Sequence, residues 1–121
     1  MMESILKDKS YVFALKIVKL YKYLSKEQNE YILSKQILRS GTSIGALIRE
    51  AEYAQSKSDF INKLSIALKE ANETDYWLDL LKDSNYIDHN IFNSISSQIK
   101  ELLRMLISSI KTTKLNKINN Q

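Results

Sequence analysis

Ile37-Leu-Arg-Ser-Gly-Thr-Ser-Ile-Gly-Ala-Leu-Ile-Arg-Glu-Ala51 holds both glycines of the chain, Gly41 and Gly45, in a sequence that has no proline. Ile37, Gly41, Ile44, Ile48 and Ala51 fall three or four apart, on one face of a helix. Propensity argues against a helix here, since each internal Gly costs about 1 kcal/mol relative to Ala. A helix that tolerates this usually gains by letting a neighbour come close, as small-xxx-small spacing does. The segment therefore predicts a long second helix over about 32–54, with Ser40, Gly41 and Gly45 as close-packing residues. A sheet is disfavoured by the same composition, because hairpins and tight turns need residues that accept positive φ.

Outward from this helix the periodicity continues on both sides. The first helix is expected over about 9–25, with Ala14, Val18, Tyr21 and Leu24 (and Tyr11 and Ile17) as its core stripe. Phe13 and Leu20 lie off that stripe and widen the apolar surface beyond what one bundle core requires. The polar run Ser25-Lys-Glu-Gln-Asn-Glu30 reads as a connection. Ser56 and Asp59 match a capping box that opens a third helix over 57–83, whose stripe is Phe60, Leu64, Ala67, Leu68, Ala71, Leu78 and Leu81. Asn85 suits a left-handed C′ position, and Asp88 can cap a fourth helix over 89–113, followed by a frayed tail at 114–121. The fourth stripe is Ile91, Ile95, Ile99, Leu102, Leu103, Leu106 and Ile110. Four amphipathic helices with short loops make an all-α, antiparallel up-down-up-down four-helix bundle, one domain over 1–121.

Composition bounds the function. At 44% hydrophobic and 26% charged the chain is ordinary globular protein, long enough to bury a core. No stretch approaches 18 uncharged apolar residues, and the first residues lack the apolar core of a signal peptide, so a cytoplasmic protein without membrane contact is expected. Cysteine is absent, which removes disulfides and thiolate chemistry. A di-metal bundle site needs Glu-x-x-His pairs, and the one histidine, His89, sits in an expected loop beside Asp88. The run Ser40-Gly-Thr-Ser-Ile-Gly45 lacks the preceding strand and the Gly-Lys-Ser/Thr ending of a phosphate loop. No catalytic residue, metal ligand or cofactor is expected.

Charge is uneven: net +4 over 1–26, −5 over 50–90 and +4 over 91–121, within an overall +4. Either oppositely charged helices pack as neighbours, or the first and last helices build a basic surface. Lys16, Lys19, Lys22 and Lys26 share an arc of roughly 120° at 100° per residue. With Arg104, Lys111, Lys114 and Lys117 they form the expected nucleic-acid-binding set, suited to phosphate contact without sequence preference. Arg39 can pair with carboxylates such as Glu70 and Glu73 in a partly buried network, or face a partner. Tyr76 and Trp77 are adjacent, so at most one points squarely into the core. One of them, with Phe13 and Leu20, is expected at an oligomer interface, where aromatic anchors are enriched.

Arg39-Ser-Gly-Thr-Ser-Ile-Gly-Ala46, Glu50-Ala51, Gln55-Ser56, Ser58-Asp59-Phe60, Lys69-Glu70-Ala71 and Glu73-Thr-Asp-Tyr-Trp-Leu78 resemble the bacterial four-helix bundle proteins also called 23S rRNA-intervening-sequence proteins. Lys9-Ser-Tyr-Val-Phe-Ala14 and Ile17-Val-Lys-Leu-Tyr21 resemble the same family, so the likeness spans about 5–113. One departure is Leu47, where the Gly-Ala-Asn pattern has Asn. The resemblance implies a ring-like homo-oligomer, typically a pentamer. It extends to the accessory variability protein of diversity-generating retroelements, which implies RNA or DNA and a reverse transcriptase as partners. The expectation is a non-enzymatic oligomeric scaffold that binds nucleic acid; the alternative is a bundle that engages only other proteins.

Overall fold

In the computed structural model, residues 2–119 are described, with side chains over 4–116. Four helices follow in order: α1 (Met2–Lys26), α2 (Leu33–Glu52), α3 (Lys57–Asp83) and α4 (His89–Asn119). Each packs on its two neighbours in the ring α1–α2–α3–α4, and among the described residues the backbones of diagonally opposite helices do not come into contact. Connections this short force antiparallel neighbours, giving the up-down-up-down four-helix bundle. Among the described residues no helix is long and apolar enough to cross a membrane.

The connections show why the helices stop where they do. Asn85 adopts φ 67° after α3; Tyr86 N–H donates to the Leu81 carbonyl and Asn85 N–H to the Lys82 carbonyl, the paired bonds of a Schellman ending. Asp88 Oδ1 then accepts from Ile91 N–H and caps α4. Ser56 Oγ accepts from Asp59 N–H at the start of α3, and the Asp59 carboxylate reaches back to Gln55 N–H. The α2 entrance uses a residue that the sequence pattern does not flag: Glu30, almost wholly buried, accepts from Ile32 and Ser34 N–H. Two amides that no helical carbonyl can reach are satisfied this way.

Three expectations need correcting. First, α1 begins at Met2 rather than near Lys9, because Leu6 is already a core residue at 1% exposure. Second, the inward stripe of α1 is Leu6, Ser10, Phe13, Ile17, Leu20 and Leu24, rotated from the expected one, while Tyr11 is 55% exposed. Phe13 at 0% and Leu20 at 4% are therefore interior to the single bundle and cannot serve an oligomer interface. Third, α4 runs on to Asn119 in place of a frayed tail, since no Gly or Pro after Ile110 stops it; residues 120 and 121 lie outside the described residues.

The α2 segment that opened the sequence reading touches two helices at once. A Cβ on Gly41 would lie 2.9 Å from both Ile17 Cγ1 and Cγ2 of α1, so only hydrogen fits there. A Cβ on Gly45 would meet the Ser10 carbonyl and hydroxyl at 3.4 Å. Ser40, fully buried, faces the other way and shares a 2.9 Å hydroxyl–hydroxyl bond with Thr74 of α3. Thr42 and Ser43 donate to the Leu38 and Arg39 carbonyls of their own helix, which satisfies hydroxyls that would otherwise compete with it.

Candidate nucleic-acid interface

The lysines of α1 divide into two groups. Near the N-terminal end Lys7 pairs with Glu52 of α2 and Lys9 with Glu101 of α4, at 3.2 and 3.1 Å. Toward the C-terminal end Lys19, Lys22 and Lys26 are exposed and, among the described residues, none of them joins an ion pair. Helical geometry puts these three within an arc of about 60°, pointing away from the core stripe. Lys16 lies at the edge of that arc nearest α4; it is half-buried and its ammonium donates to Ser94 Oγ.

The C-terminal basic residues do not join them. Lys9 faces Glu101 and Lys16 contacts Ser94, so α1 and α4 run past each other residue for residue. In that register Arg104, Lys111 and Lys114, all exposed, lie about 25 Å or more along the axis from Lys22. Two separate basic strips at opposite ends replace the single surface that the charge pattern suggested. The side chain of Lys117 lies outside the described residues.

Beside Lys16 and Lys19, α1 and α4 leave a cleft of about 360 Å³. Leu20, Ile91 and Ile95 line it, Tyr23 flanks it, and Asn90 and Ser94 stand with the two lysines at its mouth. No local sequence signal marks this cleft, because it depends on how far apart the two helices sit.

On the opposite seam Arg39 reaches across from α2 to α3. Its Nη1 lies 3.0 Å from Glu70 Oε2, and Nη2 donates to Glu73 Oε1, which also accepts from the Trp77 indole N–H at 3.2 Å. The Arg39 side chain is 51% exposed and that of Glu70 18%, so this is a partly buried clamp on the α2–α3 seam with the arginine at its rim. The hydrogen bond from Arg39, helped by Trp77, holds the Glu73 carboxyl below the usual carboxylate range. Chiefly through its bond to Glu73, Arg39 is raised further above its ordinary value. Lys100 is raised by its bond to Asp75, which ties α4 to α3 at 2.7 Å.

Neither member of the aromatic pair enters the core. Tyr76 is 59% exposed, and Trp77 packs half-buried on the α2 side, with the rings edge to face at 5.1 Å. Leu47, where an Asn was expected, is half-buried against the core. His89 is exposed at the first turn of α4. Among the described residues no three His, Asp or Glu side chains gather as a metal cluster would require.

The chain is similar to a solved crystal structure, a protein of unknown function from the S23 ribosomal protein family of Bacteroides thetaiotaomicron. The two are 60% identical over 92% of this chain and 99% of that one, with a TM-score of 0.90. No curated protein matches. Residues 2–108 match the 23S rRNA-intervening sequence protein family, so with its four-helix bundle and its Ser40–Gly41 seam this chain belongs to that family.

Proposed function

We propose that the protein is a non-enzymatic homo-oligomeric scaffold that binds nucleic acid by phosphate contact through the C-terminal half of α1. The observation that carries this is the division of the outward face of that helix. Lys19, Lys22 and Lys26 stand exposed without a carboxylate partner among the described residues, where the same helix neutralises Lys7 and Lys9. Charges left unpaired on one arc are available to replace the counterions of a nucleic-acid backbone. Below them the same face exposes Ile5, Tyr11, Val12 and Leu15, each about half accessible. Apolar residues gathered on one exposed face mark an interface. A ring of subunits, with a pentamer as the resemblance implies, would repeat the lysine arc and hold a strand by avidity. An accessory role beside a reverse transcriptase extends the same reading.

Light scattering after size exclusion, followed by fluorescence anisotropy with labelled RNA and DNA from about 50 to 200 mM salt, tests both halves. Several times 14.1 kDa is expected, with binding that weakens steeply as salt rises. The triple variant Lys19→Glu/Lys22→Glu/Lys26→Glu should lose binding and keep its helical signal, since exposed charges contribute little to stability. A monomer at micromolar concentration would end the scaffold reading. Absence of binding at low salt would transfer the function to protein–protein contact alone.

A further inference from the structure

The cleft on the α1–α4 seam differs in kind from the other grooves of the bundle. The larger groove between α1 and α2, about 530 Å³, carries Lys7 and Arg49 but also Glu50. The lower groove between α1 and α4, about 230 Å³, sets Lys9 against Asp8 and Glu101. Both mix charges of the two signs. The upper α1–α4 cleft has Lys16 and Lys19 at its mouth and no carboxylate in its lining, over a floor of Leu20, Ile91 and Ile95. At about 360 Å³ it falls in the lower part of the size range of small-molecule sites, about 300–1,000 Å³.

An apolar slot edged by cations suits a ligand that is flat and apolar at one end and anionic at the other. A nucleotide unit of a single strand has that form, with an unstacked base attached to a phosphate. A duplex does not, because its bases stay paired and stacked and it offers mainly backbone. The cleft also adjoins the strip of Lys22 and Lys26, so a strand anchored in it continues over further cations.

Resting on the nucleic-acid reading above, we infer that this cleft takes one unstacked base of a single-stranded nucleic acid and so makes the protein selective for single strands over duplex. Tyr23 supplies the aromatic surface for stacking. Lys16 exchanges Ser94 for a flanking phosphate, and Lys19 holds the next. Asn90 and Ser94 offer hydrogen-bonding groups to the base edge without fixing its identity. The consequence is a preference for strand state with little preference for sequence.

The test is fluorescence anisotropy on the full chain, at one low salt concentration, with three labelled probes of equal length. These are a single strand, the same strand annealed to its complement, and a strand of abasic units. The single strand should bind about tenfold more tightly than either other probe. Ser94→Leu, at an exposed position on the rim, should fill the cleft without adding a stacking ring and remove that margin while duplex binding stays unchanged. Asn90→Leu is a second filler from the neighbouring rim position, with helical content checked by circular dichroism for both. Lys22→Glu/Lys26→Glu should weaken all three probes together. Equal affinity for the three probes, or an intact single-strand preference in both filled variants, overturns the base-binding cleft and leaves the phosphate reading standing. Failure of all three probes to bind at low salt removes that reading, and the cleft assignment falls with it.

Discussion

The α2–α3 seam and the upper α1–α4 seam are made from the same kind of amphipathic helix, yet one is closed and the other open. Across the first, Ser40 bonds to Thr74, Ala67 and Ala71 are fully buried, and Arg39 bridges two carboxylates at the rim. Across the second, Leu20, Tyr23, Ile91 and Ile95 leave a cleft between them. The difference lies in side-chain size at the contact, because small residues let helix axes approach and bulky ones hold them apart. Gly41 extends the rule to the α1–α2 seam, where Ile17 occupies the space that a side chain would need. By backbone contact the bundle is therefore closest on the α2–α3 seam and sparsest where its first and last helices meet.

The most damaging way to break this contrast is to enlarge the tight side. Gly41→Leu pushes into Ile17 and should cost about 3 kcal/mol, at the upper end of overpacking penalties, read as a lower melting temperature. Ser94→Phe, a comparable increase in size on the open side, should stay within about 0.5 kcal/mol of the native protein. Equal losses would mean that the two seams do not differ in packing. Next in size, Thr74→Val keeps the shape of the side chain but strands the buried Ser40 hydroxyl, at a cost of about 1–2 kcal/mol. Adding Ser40→Ala should recover part of that loss, and a double-mutant cycle in denaturant measures the coupling. A strictly additive pair would show that the bond contributes nothing.

Smallest is the rim clamp. Arg39→Ala should lose about 0.5 kcal/mol at neutral pH, as half-exposed ion pairs do. Because Glu73 is held below its ordinary value of 4.5, its contribution is complete above that pH and fades as the pH drops through it toward the folded value. Arg39, raised above its ordinary value, stays charged throughout the working range. The stability difference between the native protein and the variant should therefore vanish on acidification. A difference that persists at low pH would point to lost packing by the arginine stem rather than lost charge.

How much of this the sequence reveals depends on how many stripes a helix carries. In α2 a single apolar stripe runs between polar residues, and Ile37, Gly41, Ile44, Ile48 and Ala51 are all buried as their spacing predicts. In α1 two apolar stripes compete: Ala14, Val18 and Tyr21 against Leu6, Phe13 and Leu20. Nothing local decides which turns inward, since Ile17 and Leu24 suit either, and packing against the neighbouring helices buries the second. The shared arc of Lys19, Lys22 and Lys26 survives that error because helical periodicity fixes residues relative to one another, whichever face is buried. Thr74 was within reach of sequence reasoning, as a polar residue in core register between Ala71 and Leu78. The cleft was not, since no periodicity encodes the separation of two helices that no loop connects.

That missing loop also orders events in time. Three of the four seams join helices that follow one another along the chain, whereas Lys16 and Ser94 meet across 78 residues. Loop-closure entropy disfavours so distant a contact until the intervening hairpins have formed and brought the chain ends together. The α1–α4 seam is therefore the last to zip during folding and, among the seams of the native protein, the first to breathe. A strand entering the cleft would meet the part of the molecule that opens at least cost, and by binding there it would fasten the two ends of the chain.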